Sequence, residues 1–394
     1  MSLQRIFYFI LLVGLLQSCN YQYHHVFYGH QQDFSSNSQE LFFDAEGSLY
    51  PSSRLDVQQY YTSGFPSLSS FYKANPEQLT ARLSSEERSK MSLDQQIERL
   101  QRIEVDQLVN QINSKSEHAD RIVFLIHGFN NVYEDSSRNY RLAKTEISEF
   151  LTGENVFFID VYWDAMNTLT AKKMVKGNSP TYSSKIGIGA FLHSWKTAVT
   201  NSNYVGQQLR RVISRIEHDE ISIITHSLGS NVALAALTNI EYKLDIEYDN
   251  EIKPRLQQYL SRFNNQIDYA SPLQEIQLGM IAPAIPGERS FVDFYNRTPQ
   301  IGRAIDSTNI KVTVGFNAYD PVLKKYFRVP QLFYATTLGC KRSDLETVIA
   351  QHEPYVTEVN FSETELQKDH AFFIYLQNSR LGDFFKQVFV KKED

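Results

Sequence analysis

The chain has 394 residues, 42% hydrophobic, 21% charged and 13% aromatic, a balance that excludes a disordered or collagen-like polymer. A formal net charge of −6, from 45 acidic and 39 basic residues, leaves no basic field for sequence-independent binding to nucleic acid. Two cysteines, Cys19 and Cys340, exclude a disulfide-rich scaffold and any cysteine-only zinc or iron–sulfur site.

Residues 1–19 read MSLQRIFYFILLVGLLQSC. Arg5 supplies a positive start, and Ile6 to Leu16 form an uncharged apolar run of eleven residues. That run is short for a bilayer span but suits the core of an export signal. The following Leu16-Gln17-Ser18-Cys19 resembles the lipobox of bacterial lipoproteins. The resemblance implies a leader over 1–18, cleavage before Cys19, and lipidation of that cysteine. The chain is then expected as an exported, membrane-anchored lipoprotein of the bacterial cell envelope. Multiple acylation at Cys19 would provide the second chain that stable anchoring needs. The bland alternative is an ordinary secretory peptide with an incidental cysteine. With Cys19 acylated, Cys340 has no partner within the chain.

Residues 20–40 are rich in Tyr, His, Gln and Ser without periodicity, and read as a tether. Leu41-Phe42-Phe43, a Gly47-containing turn and Ser48-Leu49-Tyr50 read as a short hairpin. Residues 51–84 carry Pro, Ser and Gly and read as irregular surface. A helix is expected over Ser84–Asn113, capped by Ser84 or Ser85, with Glu86 and Glu87 in its first turn. Its apolar face holds Ile97, Leu100, Leu108 and Ile112. Together these form an N-terminal extension over 19–115.

From Arg121 the pattern changes. Apolar runs at Ile122–Ile126, Val156–Val161, Ile221–Ile224, Ile276–Ile281 and Ile310–Val314 alternate with helical stretches at Glu134–Phe150, Thr197–Ile216 and after Leu228. Tyr355–Phe361 reads as a last strand. Continuous apolar strands between helices imply an α/β fold with a mostly parallel sheet covered on both faces, here over 116–394. Ligands in such sheets bind beyond the carboxyl ends of the strands, so chemistry is sought just after each run.

After Ile224 comes Thr225-His226-Ser227-Leu228-Gly229-Ser230, a strand, a sharp turn and a helix. This is the setting of a nucleophile elbow, with Thr225 where G-x-S-x-G has its first glycine. Its plain alternative is a turn with an exposed serine. After Ile126 comes His127-Gly128-Phe129-Asn130-Asn131, placed as an oxyanion loop would be. The backbone N–H groups of Phe129 and Leu228 are the candidate oxyanion donors. His127 is expected to shape the loop, and His226 to be aimed elsewhere by the tight turn. After Val314 the chain reaches Asp320 in an Asp-Pro-Val turn. Asp320 is the favoured triad acid, with Asp293 and Glu288 as competitors. Of ten histidines only His352 and His370 follow it, and His370, after the last strand, is the better placed.

These motifs resemble the α/β-hydrolase superfamily, in its serine esterase and lipase branch. His127-Gly128-Phe129-Asn130-Asn131, Trp195 through Leu209-Arg210, and Thr225-His226-Ser227-Leu228-Gly229 together are similar to uncharacterised bacterial hydrolases with an H-G-[FY]-N strand motif. The resemblance spans roughly 120–390. It implies an α/β-hydrolase fold and a serine hydrolase of carboxylic esters using Ser227, Asp320 and His370. No metal and no organic cofactor are expected. The expected partners are a small-molecule or lipid-like ester and the membrane, through Cys19; oligomeric state stays open. The segments 163–194 and 241–273 read as insertions, each either a lid over the site or a peripheral hairpin. Two other functions remain: a non-catalytic surface lipoprotein that binds through a hydrolase scaffold, or a thioesterase or peptidase using the same residues.

Overall fold

The computed structural model describes residues 37–50, 67–79, 82–129, 131, 133–165, 188–237, 275–291, 310–326, 336–363 and 369–390. The expected leader, Cys19 and the tether up to residue 36 lie outside the described residues, as do 166–187 of the first insertion and all of the second, 241–273. No helix among the described residues is long and apolar enough to cross a membrane.

Seven strands form one sheet: β1 (Ser38–Phe43), β2 (Arg121–Ile126), β3 (Val156–Trp163), β4 (Glu220–His226), β5 (Glu275–Ile281), β6 (Ile310–Phe316) and β7 (Val356–Asn360). Their order is β1-β3-β2-β4-β5-β6-β7, and every pairing is parallel. All six residues of β2 are buried, as are all eight of β3. Strands buried on both faces have no reason to alternate apolar with polar, hence the continuous runs in the sequence.

The covering helices are α1 (Leu68–Ala74), α2 (Ser85–Lys90), α3 (Leu93–Ser116), α4 (Tyr133–Phe150), α5 (Ile188–Ile213), α6 (Gly229–Leu237), α7 (Glu288–Phe291), α8 (Leu323–Tyr326), α9 (Arg342–His352), α10 (Phe372–Leu376) and α11 (Leu381–Phe389). From β2 the chain moves outward to β3, then returns past β2 to β4. The strand order therefore reverses between β2 and β4, and sheets of this kind bind their ligands beyond the carboxyl ends at such a point. All nine residues of α6 are buried, so this helix is apolar all round rather than on one face.

Four elements differ from the sequence reading. The helix expected over Ser84–Asn113 is two helices, α2 and α3. Ser84 pairs with Glu87 in one capping box and Ser92 with Gln95 in a second, while Met91 between them is extended. A second cap starts a second helix; the four expected core residues of α3 are nonetheless buried. The hairpin turn exists, with Leu49 bridged antiparallel to Phe43. Yet its first strand begins at Ser38 and forms the edge of the main sheet, parallel to β3. Ser38, Gln39 and Glu40 hid it, being polar yet buried. Lys115 donates to Gln39, and the Tyr133 hydroxyl to Glu40.

Residues 67–79 are not irregular surface: α1 and the 3-10 turn Pro76–Leu79 bury Leu68, Phe71, Tyr72 and Leu79. The buried Asp44 carboxylate ties this segment to the hairpin, accepting the N–H groups of Glu46, Ser48 and Leu68. Finally, α5 starts at Ile188, inside the expected insertion, rather than at Thr197.

Candidate active site

Strand β4 ends at His226, and Ser227 turns the chain into α6 with a φ of 54°. A β-carbon makes that left-handed conformation costly, by about 1–3 kcal/mol. The surroundings enforce it: the Ser227 N–H donates to the Ile281 carbonyl, and the Ser227 carbonyl accepts from Ala284 and Ser230. Thr225 stands where the usual motif has glycine, and its hydroxyl is 2.8 Å from that of Ser230 across the turn.

Strand β2, next to β4, delivers His127 and Gly128 to the same edge. A Cβ built on Gly128 would lie 2.7 Å from the Ser227 Cβ and 3.0 Å from the His226 carbonyl. Only glycine lets the two loops approach this closely. His127 is locked in place. Its Nε2 accepts from the Trp163 N–H at 3.1 Å, so Nδ1 carries the proton and donates to the Gly128 carbonyl at 2.9 Å. Burial pushes its pKa down to about 4, leaving a neutral ring. The Trp163 indole N–H donates to the His127 carbonyl, and the Tyr140 hydroxyl accepts the His127 N–H. His127 thus shapes the loop, as its sequence position suggested. Phe129 follows, its ring edge-on to Trp195 of α5 at 5.2 Å. Leu228 opens α6, and among the described residues no backbone carbonyl takes its N–H.

After β6, Asp320 is fully buried. Its Oδ1 accepts the N–H groups of Val322 and Leu323, both at 2.9 Å, which is the Asx turn before α8. Its Oδ2 lies 2.6 Å from Nδ1 of His370. One oxygen of this aspartate thus closes the turn and the other faces the His370 ring. Burial would raise its pKa, but His370, the Leu323 N–H and the Tyr375 hydroxyl outweigh burial and hold the carboxyl below its ordinary value.

His370 lies just before α10, and its Nε2 is 2.8 Å from the Ser227 hydroxyl. With Asp320 ionised, Nδ1 donates to it and Nε2 is left to accept the serine proton. Asp369 does not hold the ring; its Oδ1 accepts the N–H groups of His370 and Ala371 and shapes the loop. Ser227, His370 and Asp320 therefore form one hydrogen-bonded chain across three loops. His352, the competing histidine, closes α9 with its ring 5.8 Å from that of Phe291. Asp293 lies outside the described residues.

His226 departs from expectation. It is not aimed away from the site. Its Nε2 donates to the His370 carbonyl at 2.8 Å, and its ring lies 4.9 Å from the His370 ring. Burial, with His370 nearby, pushes its pKa down to about 3. Sequence reasoning also missed Tyr375, whose hydroxyl donates to Asp320 Oδ2 at 2.8 Å, and Asn317, which donates to that hydroxyl at 2.9 Å. Nothing in a single sequence marks these contacts, because they join residues 55 and 58 positions apart.

Residues 102–262 match the family model described as an alpha/beta hydrolase of unknown function (DUF900). With the parallel sheet and its strand order, that match decides the fold. The chain has an α/β-hydrolase fold. The matched stretch runs from α3 through β2, β3 and β4 to beyond α6, so it includes the His127-Gly128 loop and Ser227. Asp320 and His370 fall outside it. No curated protein matches this sequence. Among the described residues no group of three or more His, Cys, Asp or Glu could hold a metal ion.

Proposed function

We propose that the chain is a serine hydrolase that cleaves a carboxylic ester. The observation that carries this reading is the hydrogen-bonded sequence from buried Asp320 through His370 to Ser227, with the serine on a strained turn. In the reaction Ser227 Oγ attacks the acyl carbonyl, and its proton passes to His370 Nε2. Asp320 holds the imidazole in the required tautomer and stabilises the imidazolium. The Phe129 and Leu228 N–H groups receive the oxyanion, each such donor contributing about 3 kcal/mol in comparable sites. Collapse of the tetrahedral adduct breaks the ester bond, and the leaving alcohol takes the proton from His370. Water, deprotonated by the same histidine, then releases the acid and restores Ser227.

The test is intact-mass analysis after fluorophosphonate treatment, with peptide mapping and a Ser227→Ala control. The expected result is a single adduct on Ser227 in the parent and none in the folded variant. An unlabelled parent, or an adduct elsewhere that survives Ser227→Ala, would sink the assignment. Thioester and peptide substrates engage the same groups, so panels of all three bond types follow labelling. We also propose export and anchoring through an acylated Cys19, on the strength of the leader sequence alone. The intact mass of membrane-extracted protein reads this: a mature chain starting at Cys19 with added acyl mass supports it, and an unmodified cysteine refutes it.

A further inference from the structure

Asp320 Oδ2 serves two donors at once. His370 Nδ1 lies 2.6 Å from it and the Tyr375 hydroxyl 2.8 Å. The direction of the second bond is fixed by its neighbours. Asn317 Oδ1 accepts the Tyr319 N–H at 3.0 Å, which orients the amide and turns Nδ2 towards Tyr375 at 2.9 Å. Nδ2 can only donate, so the single hydroxyl proton of Tyr375 goes to Asp320. The relay therefore runs from Asn317 through Tyr375 to the carboxylate that supports the base.

We propose that Tyr375 is a positioning residue that draws charge from Asp320 and so sets the pH at which Ser227 becomes reactive. The inference rests on Ser227, His370 and Asp320 acting as described under the proposed function. A carboxylate oxygen that accepts a second hydrogen bond holds a neighbouring imidazolium less strongly. Removing the hydroxyl should strengthen that hold, so the base keeps its proton to higher pH. Tyr375→Phe isolates this effect. Asp320 stays anchored, because Oδ1 is bonded to the Val322 and Leu323 N–H groups. The ring also stays: it is buried and edge-on to Phe361 at 5.4 Å.

The other titratable groups around the pair are left unaltered by that change. His226 at the end of β4 faces His370 and is neutral above about pH 3. Asp369 faces it from its own loop. Cys340, before α9, interacts with Asp320; burial pushes its thiol up to about 12, and Lys324, Asp344 and Lys341 act on it more weakly.

The test is the rate of Ser227 phosphonylation by a fluorophosphonate between pH 5 and 9, on the full chain. It needs no knowledge of the substrate. In Tyr375→Phe the midpoint of the acid limb should rise by about 0.5 to 1 pH unit, the shift one neutral hydrogen bond can produce. The rate below the limb should fall roughly 3- to 10-fold while the alkaline plateau is kept. Asn317→Ala, which only weakens the relay, should shift the limb in the same direction by less. A limb that stays in place or moves to lower pH would overturn the proposal. So would a lowered plateau with an unmoved limb, which is the mark of a packing role. A parent chain that is never labelled on Ser227 defeats the hydrolase reading and this inference with it. A labelled parent whose limb is insensitive to Tyr375→Phe defeats this inference alone.

Discussion

Ser227 and Gly128 are two halves of one local constraint. The serine holds a φ of 54°, and the space over its Cβ is the space a Cβ on Gly128 would need, 2.7 Å away. Gly128→Ala must therefore push either the nucleophile turn or the His127 loop, and neither obstructing atom is the flexible end of a side chain. Misplacing a reacting group by about 1 Å costs on the order of 100-fold in rate. We expect Gly128→Ala to slow fluorophosphonate labelling of Ser227 by at least about 10-fold while the protein remains folded by circular dichroism. Labelling at the parental rate would mean that the loops relax without consequence. The serine, the glycine, the aspartate and the histidine were all legible in sequence because each follows a recognisable strand in a fixed order. His226, Asn317 and Tyr375 were not. Their roles depend on where a ring or an amide points after the loops have met, and no local spacing encodes that.

Elements pack closely where glycine allows it, and two helices make a paired test. Gly206 of α5 faces α6, and an added Cβ would lie 2.3 Å from the Ala235 Cβ and 2.6 Å from the Val232 carbonyl. Alanine there gains helix propensity, about 1 kcal/mol, but must force apart two buried helices. Overpacking of this kind costs about 1–3 kcal/mol, and the rigid atoms in the way put it at the upper end. Gly382 of α11 has nothing within 4 Å of an added Cβ. There only the propensity term acts. Gly206→Ala should lower the unfolding free energy in urea by about 1–2 kcal/mol, and Gly382→Ala should raise it by about 0.5 kcal/mol or more. Equal effects would show that close packing of α5 on α6 is not what the glycine serves. The same contrast explains what sequence could report about elements. Strands β2 to β6 show in the sequence as continuous apolar runs, and α4 as a helical stretch between two of them. The break at Met91 and the edge strand β1 do not: one depends on a second capping box, the other on side-chain partners for Gln39 and Glu40 supplied by α3 and α4.

At the scale of the whole molecule, the buried titratable groups pull stability in opposite directions as pH falls. His226 and His127 stay neutral in the fold until about pH 3 and 4, against 6.5 for an ordinary histidine, chiefly through burial. The unfolded chain takes up these protons first, so their contribution is lost as pH falls through 6.5. From pH 7 to 5 each histidine therefore removes stability, on the order of 2 kcal/mol. Asp160 on β3 runs the other way. Burial raises its carboxyl from 3.8 to about 6 despite Lys144 at 2.5 Å, so the folded state takes up the proton first. That returns stability over the same interval, on the order of 1 kcal/mol, and buried Asp44, also raised by burial, adds in the same direction. Single substitutions separate the terms. Glutamine at 226 keeps an N–H donor for the His370 carbonyl but cannot take up a proton. The loss of stability from pH 7 to 5, read from urea unfolding at each pH, should be smaller in His226→Gln than in the parent, by on the order of 2 kcal/mol. In Asp160→Asn it should be larger, by on the order of 1 kcal/mol, because the compensating protonation is gone. The opposite signs are the discriminating feature, since a general loosening of the fold would move both variants the same way. If His226→Gln tracks the parent, the His226 ring protonates in the folded protein near pH 6, and its clamp on the His370 loop would then carry a positive charge beside the base.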